Sequence, residues 1–194
     1  AISYNKGGLI LHSLRKTLGD SVFFKGLNLY LNRHAYKTVE IHDLRLALEE
    51  VSGTDLNWFF NQWFLSDGLA LLNVQNQYNA QNHKLTLNIT QIQESPKALI
   101  LPLDIDIYNG TAKTRHRIWI NRKHQRFEIP CEQAPDWINV DAEHQIVGYV
   151  YPFKTTAENL LQLQNAPLAI DRIDALYELN EKISQTEVRN QILI

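Results

Sequence analysis

Apolar residues recur at helical spacing from Gly7 to about Leu65, and this periodicity predicts four consecutive short helices. Residue types that end or begin helices lie between them, at positions 19–21, 37–38 and 52–55. The last of these helices is strongly aromatic. The apolar positions of the pattern are Leu11, Leu14, Leu18, Phe23, Phe24, Leu27, Tyr30, Leu31, Leu44, Leu46, Ala47, Leu48, Trp58, Phe59, Phe60, Trp63 and Phe64.

After Ser66, Asp67 and Gly68 the period of the pattern shortens towards two, and turn-forming residues follow at roughly regular intervals. This change predicts a second unit made of antiparallel strands, arranged as a sandwich or a barrel. Loops are expected at 79–83, 109–110 and 121–124. The predicted strands are 71–78, 84–91, 99–108, 115–120, 126–129, 137–141 and 147–151.

Pro152 closes the strand region, and from Thr156 the apolar residues return to helical spacing. This pattern includes Val188, Ile192 and Leu193 and is still running at Ile194. We therefore expect a helical array that continues beyond this sequence in a longer protein. The absence of methionine and the helical pattern close to Ala1 also favour an excised segment.

The charge composition excludes any general electrostatic attraction to polyanions. Lysine and arginine total 19 against 21 aspartates and glutamates, which gives a net charge of −2 at pH 7. Nucleic acid and anionic membranes are therefore not expected as partners. The sequence has no apolar run long enough to span a membrane and no export-signal pattern. The compartment is undetermined, and a soluble, cytoplasmic location is favoured.

Short motifs with regular spacing run from Tyr4 to Trp63. Their order and spacing resemble the second half of the catalytic domain of M1 family zinc aminopeptidases. The motifs are Tyr4 with Lys6 and Gly7, Leu18-Gly19-Asp20, Phe23-Phe24, Gly26-Leu27, Tyr30-Leu31, His34-Ala35-Tyr36-Lys37-Thr38, Asp43-Leu44, Ala47-Leu48-Glu49, Ser52-Gly53, Asp55-Leu56, Phe59-Phe60 and Gln62-Trp63.

The resemblance implies a multidomain α+β fold. Residues 1–67 would be the C-terminal helical part of a thermolysin-like M1 catalytic domain. Residues 68–152 would be a β-sandwich domain, and residues 153–194 the start of a helical, HEAT-like solenoid. The longer M1 enzymes have these parts in the same order.

The resemblance also implies removal of the N-terminal residue from peptides by a zinc-activated water, with a glutamate as general base. In the family, the zinc ligands and this glutamate lie upstream of the tyrosine that matches Tyr4. None of the seven histidines belongs to a His-Glu-x-x-His pattern. We therefore expect zinc in a parent enzyme, with ligands outside this chain, and no zinc site in the chain itself.

Tyr4 is the one catalytic residue that the resemblance transfers to this chain. A phenol with a pKa near 10 stays protonated at neutral pH and donates a hydrogen bond to an oxyanion that develops on a carbonyl. The unpaired amides at the start of a helix would favour the same negative charge. Without the matched spacing downstream, an ordinary surface tyrosine would be the better interpretation.

Three other features have a structural and a functional interpretation. The basic stretch 113–126 resembles a nucleic-acid surface, but a solvated basic face of a hairpin is favoured. Cys131 is the only cysteine, and a small buried thiol is favoured over a nucleophile. The aromatic residues of 58–64 are expected to pack in the core rather than to form a ligand cage.

The leading hypothesis is a part of a zinc aminopeptidase that supplies Tyr4 and is inactive alone. Its partners would be the peptide substrate and the remaining N-terminal part of the catalytic domain. A rival hypothesis is a non-catalytic M1-like scaffold that acts as a protein-interaction module. An epoxide hydrolase relative is disfavoured, because those family members lack the β-domain predicted here.

Overall fold

The computed structural model describes residues 2–180. Over this range the chain forms four helices, then seven strands, then two helices. This is the α+β arrangement that the sequence predicts. The predicted helical segment with Val188, Ile192 and Leu193 lies outside the described residues. The first four helices are α1 (Ile2–Leu18), α2 (Asp20–Arg33), α3 (Ile41–Ser52) and α4 (Asn57–Trp63).

The ends of these helices follow from local sequence. Gly19, with a φ of 81°, separates α1 from α2 in a conformation that costs glycine little. At the start of α3, the Asp43 carboxylate accepts from the backbone N–H of Glu40, and the Glu40 backbone carbonyl accepts from the N–H of Asp43. Gly53 ends α3 in the left-handed conformation, as the sequence predicts. Gly26 allows α2 to approach Leu48 of α3 closely.

All seven predicted strands are present, with ends shifted by at most a few residues. Each pattern of alternating side chains therefore identified a strand correctly. The strands are β1 (Ala70–Asn79), β2 (Lys84–Gln91), β3 (Leu101–Asn109), β4 (Ala112–Ile120), β5 (His124–Pro130), β6 (Trp137–Val140) and β7 (Gly148–Pro152).

The strands form two sheets rather than a closed barrel. One sheet has the order β5-β2-β1-β7 and the other has the order β4-β3-β6. All pairs are antiparallel except β1 and β7, which run parallel with Ala70 opposite Gly148. Hydrophobic periodicity does not distinguish parallel from antiparallel neighbours, so the sequence did not reveal this pair.

One continuous hydrophobic core joins the first four helices to the sandwich. Leu14 of α1 and Phe59 of α4 belong to the same buried cluster as Leu72 of β1 and Leu103 of β3. Phe59, Phe60 and Trp63 are buried, so the aromatic residues of α4 pack in the core as predicted. The first four helices and the sheets therefore bury apolar surface against each other.

Two helices follow the sandwich, α5 (Thr156–Asn165) and α6 (Ala169–Asn180). Thr155 and Glu158 form a capping box at the start of α5. Ala166, at the end of α5, packs against Tyr108 of β3 and Trp137 of β6. The two aromatic rings stack with centroids 3.9 Å apart. This contact fixes α5 against the three-stranded sheet.

Candidate functional site

Tyr4 lies in the first turn of α1, and its side chain is 87% exposed. Its hydroxyl makes no hydrogen bond to another described residue. Tyr4, Gly8 and Leu11 are all exposed and share one helix face, at spacings of four and three residues. The phenol is therefore accessible to a second molecule, while the structure gives it no internal partner.

The C-terminal half of α1 is held firmly against the sandwich. Ile10 and Leu14 are buried in the shared core. His12 Nε2 donates to the backbone carbonyl of Glu143 at 2.8 Å, and Lys16 Nζ forms a 2.7 Å ion pair with the Glu143 carboxylate. Glu143 therefore connects α1 to the segment that follows β6.

Two buried aspartates of β3 pair with arginines of β4. Asp104 and Asp106 are each 1% exposed, and each lies directly across the β3–β4 hairpin from an arginine. Arg117 donates Nε–H and Nη2–H to Asp104, both at 2.7 Å. Arg115 donates Nε–H to Asp106 at 2.6 Å and Nη2–H at 2.7 Å. Such bidentate pairs combine charge with matched geometry.

This network reaches from the sandwich to α1. Arg117 also donates to the backbone carbonyl of Lys16 at 3.0 Å. Arg115 also contacts Glu143, the residue that binds Lys16. Desolvation raises the pKa of Glu143, but the bonds from Lys16 and Arg115 outweigh it and bring the pKa to about 2. Glu143 is thus held ionised between α1 and β4.

Part of the basic stretch 113–126 pairs with the buried aspartates of β3. Lys113, Arg115 and Arg117 are ion-paired with the buried carboxylates of β3. The hydrogen bonds that Arg117 donates to Asp104 raise the pKa of Arg117 despite desolvation, so the guanidinium stays charged. These three residues are exposed on the β3–β4 hairpin, and the sequence prediction did not include the carboxylates that β3 places opposite them.

The sequence contained a signal for this network. Asp104 and Asp106 alternate with apolar residues in a strand that precedes Asn109-Gly110, a dipeptide that predicts a tight hairpin. Folding the chain at that turn places Asp104 opposite Arg117 and Asp106 opposite Arg115. These partners were not predicted, because the basic residues were interpreted without the strand that pairs with them.

The described residues do not fit a zinc ion. Among residues 2–180, no group of three or more histidine, cysteine or acidic side chains is arranged to hold a metal. Cys131 is half-buried rather than fully buried, and its Sγ lies 3.0 Å from the carbonyl oxygen of Gln133. A zinc centre would need ligands from outside the described part of the chain.

His144 links the segment between β6 and β7 to helix α6. Its Nε2 lies 2.8 Å from Asp171 Oδ1, and Asp171 is buried. The hydrogen bond to Asp171 raises the pKa of His144 above its usual value, against desolvation. Neither residue has a predicted role in the sequence, because the two lie far apart along the chain.

We expect this pair to make stability depend on pH. Because the folded-state pKa is raised, its contribution is fully present below the unfolded-state value of about 6.5 and is lost as pH rises through the folded value. Replacing His144 with glutamine should therefore cost more unfolding free energy at about pH 6 than at about pH 9. Urea unfolding of both proteins across this range measures the difference. A cost that did not change with pH would contradict the prediction.

Among the helices of residues 2–180, none has the length and apolar character needed to cross a bilayer.

The described residues form an α+β fold with an exposed Tyr4. They contain no group of side chains arranged to hold a metal. Residues 1–63 match the model of the family described as "Peptidase family M1 domain". The chain belongs to peptidase family M1, as the motifs from Tyr4 to Trp63 predict.

Relatives with curated names agree with this family. The chain is 30% identical to alanine/arginine aminopeptidase of Saccharomyces cerevisiae over 136 residues. This aligned region is 69% of this chain and 16% of that protein. The chain is 29% identical to aminopeptidase N of Escherichia coli over 116 residues. This aligned region is 57% of this chain and 13% of that protein. The chain thus spans less than a fifth of the length of either relative.

A solved structure has the same fold over nearly the whole chain. Aminopeptidase A of Legionella pneumophila, in complex with aspartic acid, matches with a TM-score of 0.79. The match covers 95% of this chain and 22% of that chain, at 15% sequence identity. At this identity the likeness concerns the fold, and it confirms the predicted order of helices, sandwich and helices.

Proposed function

We propose that this chain is part of a zinc-dependent M1 aminopeptidase that removes N-terminal amino acids from peptides, in which Tyr4 stabilises the transition state. The observation that carries the proposal is the match of residues 1–63 to the M1 domain, with Tyr4 exposed on the first turn of α1. The names of the relatives in yeast and Escherichia coli support the same reaction class.

The role of Tyr4 follows from the chemistry of a phenol at a helix start. Tyr4 would donate its hydroxyl proton in a hydrogen bond to the negative oxygen that develops on the substrate carbonyl. The partial positive charge at the N-terminal end of α1 favours the same oxygen. The contacts of Glu143 with His12 and Lys16 would keep α1, and so Tyr4, in a constant position.

The remaining N-terminal part of the catalytic domain would supply the zinc ligands and the general base. Exposed apolar side chains on the first three helices support a partner surface there. They are Leu11, Phe24, Leu31 and Leu46. In this proposal the 194-residue chain alone takes up no catalytic zinc and hydrolyses no peptide.

We also propose domain boundaries near residues 67 and 152. Residues 1–67 would end the catalytic domain, residues 68–152 would form the β-sandwich domain, and residues 153–194 would begin the helical domain. The change from helix to strand before Ala70, and the return to helix after Pro152, support these boundaries. The partners expected under this proposal do not include nucleic acid or membranes, and cytoplasmic location remains our expectation.

Replacing Tyr4 with phenylalanine in the zinc-loaded, full-length enzyme is expected to lower kcat by about 100-fold, because one oxyanion donor is lost. KM should change little, since the donor acts mainly in the transition state. Steady-state cleavage of an aminoacyl anilide measures both constants. The matched control is Tyr36→Phe, which removes a hydroxyl from another fully exposed tyrosine and should leave kcat unchanged.

Three results would decide between the proposal and its alternative. A kcat within about threefold of the unchanged enzyme for Tyr4→Phe would remove Tyr4 from the mechanism. Zinc uptake and anilide cleavage by the 194-residue chain alone would contradict its expected inactivity. A full-length protein that binds no zinc would favour a non-catalytic M1-like scaffold, a role that the absence of a metal cluster in residues 2–180 also allows.

A further inference from the structure

The turn between β6 and β7 connects parts of the protein that are far apart along the chain. We call its residues 141–144 the bridging turn. On one side of this turn, Glu143 holds helix α1. Its backbone carbonyl accepts a hydrogen bond from His12 at 2.8 Å, and its carboxylate forms a 2.7 Å ion pair with Lys16. One residue of the bridging turn therefore bonds α1 at two points, four residues apart.

The next residue of the bridging turn, His144, holds helix α6. Its Nε2 lies 2.8 Å from Asp171 Oδ1, and Asp171 is buried. The backbone carbonyl of Asp171 also accepts from Gln162 of α5 at 2.6 Å, so this bond reaches both of the last two helices. Among the described residues, no hydrogen bond or ion pair joins α1 to α6 directly. The polar link between these two helices therefore passes through neighbouring residues, Glu143 and His144.

The backbone of the bridging turn is tightly constrained. Asp141 and His144 have φ values of 62° and 50°, in the left-handed region that is uncommon for residues other than glycine. Such conformations persist where the surrounding structure imposes them. The buried Asp141 carboxylate accepts the backbone N–H groups of Gln145 at 2.9 Å and of Ile146 at 3.2 Å. The N–H of His144 donates to the Asp141 carbonyl at 2.7 Å. We therefore expect a shift of His144 to move Glu143, because no flexible residue separates them.

We propose that the bridging turn couples α6 to α1, so that the bond of His144 to α6 fixes the position of α1 through Glu143. His144 is then a positioning residue for α1. The consequence for catalysis rests on the proposed function, because α1 carries Tyr4 and the helical domain would determine where its phenol lies. The coupling itself is a property of the 194-residue chain and is measured without any activity.

Hydrogen exchange on the 194-residue chain tests the coupling. Asparagine tolerates the left-handed backbone, but in His144→Asn its shorter side chain does not reach Asp171. We expect amides in the second half of α1 to exchange at least about fivefold faster relative to those of β3. The ratio of the two segments is the readout, because a general loss of stability speeds exchange in both. An unchanged ratio would overturn the proposal.

Two further variants separate the bond from other effects of the substitution. His144→Gln keeps an N–H donor at about the reach of the ring Nε2, so the ratio should return to within about twofold of its original value. The matched control is His83→Asn. His83 also has a left-handed backbone, with a φ of 52°, and it bonds the carbonyl of Glu132 at 2.9 Å, away from α1 and α6. An equal rise of the ratio in His83→Asn, or no recovery in His144→Gln, would contradict the proposal.

A double-variant cycle tests whether Glu143 is the link. Lys16→Met removes the ion pair between α1 and Glu143 and keeps most of the aliphatic stem. If the coupling passes through Glu143, the effect of His144→Asn on α1 exchange should be at least about twofold smaller in the Lys16→Met background. Effects that simply multiply would make the two bonds independent and overturn the proposal.

The full-length, zinc-loaded enzyme shows whether the coupling reaches Tyr4. We expect His144→Asn to lower kcat about three- to tenfold with little change in KM, and His144→Gln to recover most of this loss. An enzyme without activity would contradict the proposed function and leave the exchange result of the coupling unaffected. A lower kcat in Tyr4→Phe together with an unchanged exchange ratio in His144→Asn would support the proposed function and overturn the coupling.

A variant on the other side of the bond protects the test against misfolding. If circular dichroism shows that His144→Asn has lost its structure, Asp171→Asn replaces it, because it weakens the same bond from α6. The same faster exchange in α1 relative to β3 is expected. Its absence in a folded Asp171→Asn chain would overturn the proposal.

Discussion

Replacing Gly148 with alanine is expected to destabilise the fold by at least about 4 kcal/mol, a loss reserved for severe backbone or core disruption. Gly148 begins β7, directly opposite Ala70 in the parallel pair of β1 and β7. A Cβ atom on Gly148 would lie 1.9 Å from the carbonyl oxygen of Ala70 and 2.7 Å from its carbonyl carbon. Backbone atoms of a central strand cannot move aside as a flexible side chain does.

The strand pair must therefore separate locally to admit the extra methyl group. Ala70 N donates to the carbonyl of Val147, one residue before Gly148, so this hydrogen bond would be lost with the pairing. Ala70 and Val147 are both fully buried, and their separation opens the sandwich core to water. The loss thus combines a steric clash, broken ladder bonds and a disturbed core.

Urea unfolding of Gly148→Ala, followed by circular dichroism, measures the free energy of unfolding. The matched control is Gly8→Ala in α1, where a Cβ meets no atom within 4 Å. That change should leave stability unchanged or raise it by up to about 1 kcal/mol, because alanine favours a helix more than glycine does. A Gly148→Ala protein as stable as the control would show that β1 and β7 do not approach as closely as described here.

The secondary structure was predictable because each element carries its own local signal. β1 alternates between buried Ala70, Leu72 and Val74 and more exposed neighbours, and this period of two is visible in the sequence. Helix α5 begins with a capping box, and the spacing of Thr155 and Glu158 in the sequence is typical of this motif. Local propensity and tertiary structure agree at these positions, so the sequence alone sufficed.

Contacts between distant segments were not predictable in the same way. The parallel pairing of β7 with β1 joins residues nearly eighty positions apart, and no spacing rule indicates it. The His144–Asp171 bond likewise depends on how α6 returns to the sandwich. Tyr4 differs from both, because its role rests on a family pattern and on groups outside the described residues, so it stays a prediction.

Replacing Arg117 with methionine is expected to destabilise the fold by about 3 kcal/mol, because it leaves the Asp104 carboxylate buried without its cation. Asp104 is 1% exposed, and Arg117 is its only ion-pair partner within the described residues. Methionine keeps much of the arginine's apolar stem, so packing changes little. The estimate is at the low end for broken buried pairs, because Arg117 itself is partly exposed to solvent.

A double variant separates the buried charge from other effects of the substitution. Asp104→Asn combined with Arg117→Met removes both charges, and it should recover a large part of the lost unfolding free energy measured in urea. The matched control is Arg126→Met, whose partner Glu128 is exposed, and it should cost less than about 1 kcal/mol. If Arg117→Met cost no more than this control, the Asp104–Arg117 pair would contribute nothing specific to the junction between β3, β4 and α1. A loss that the second substitution does not reverse would instead assign the effect to the bond from Arg117 to the Lys16 carbonyl, and so to the orientation of the helix that carries Tyr4.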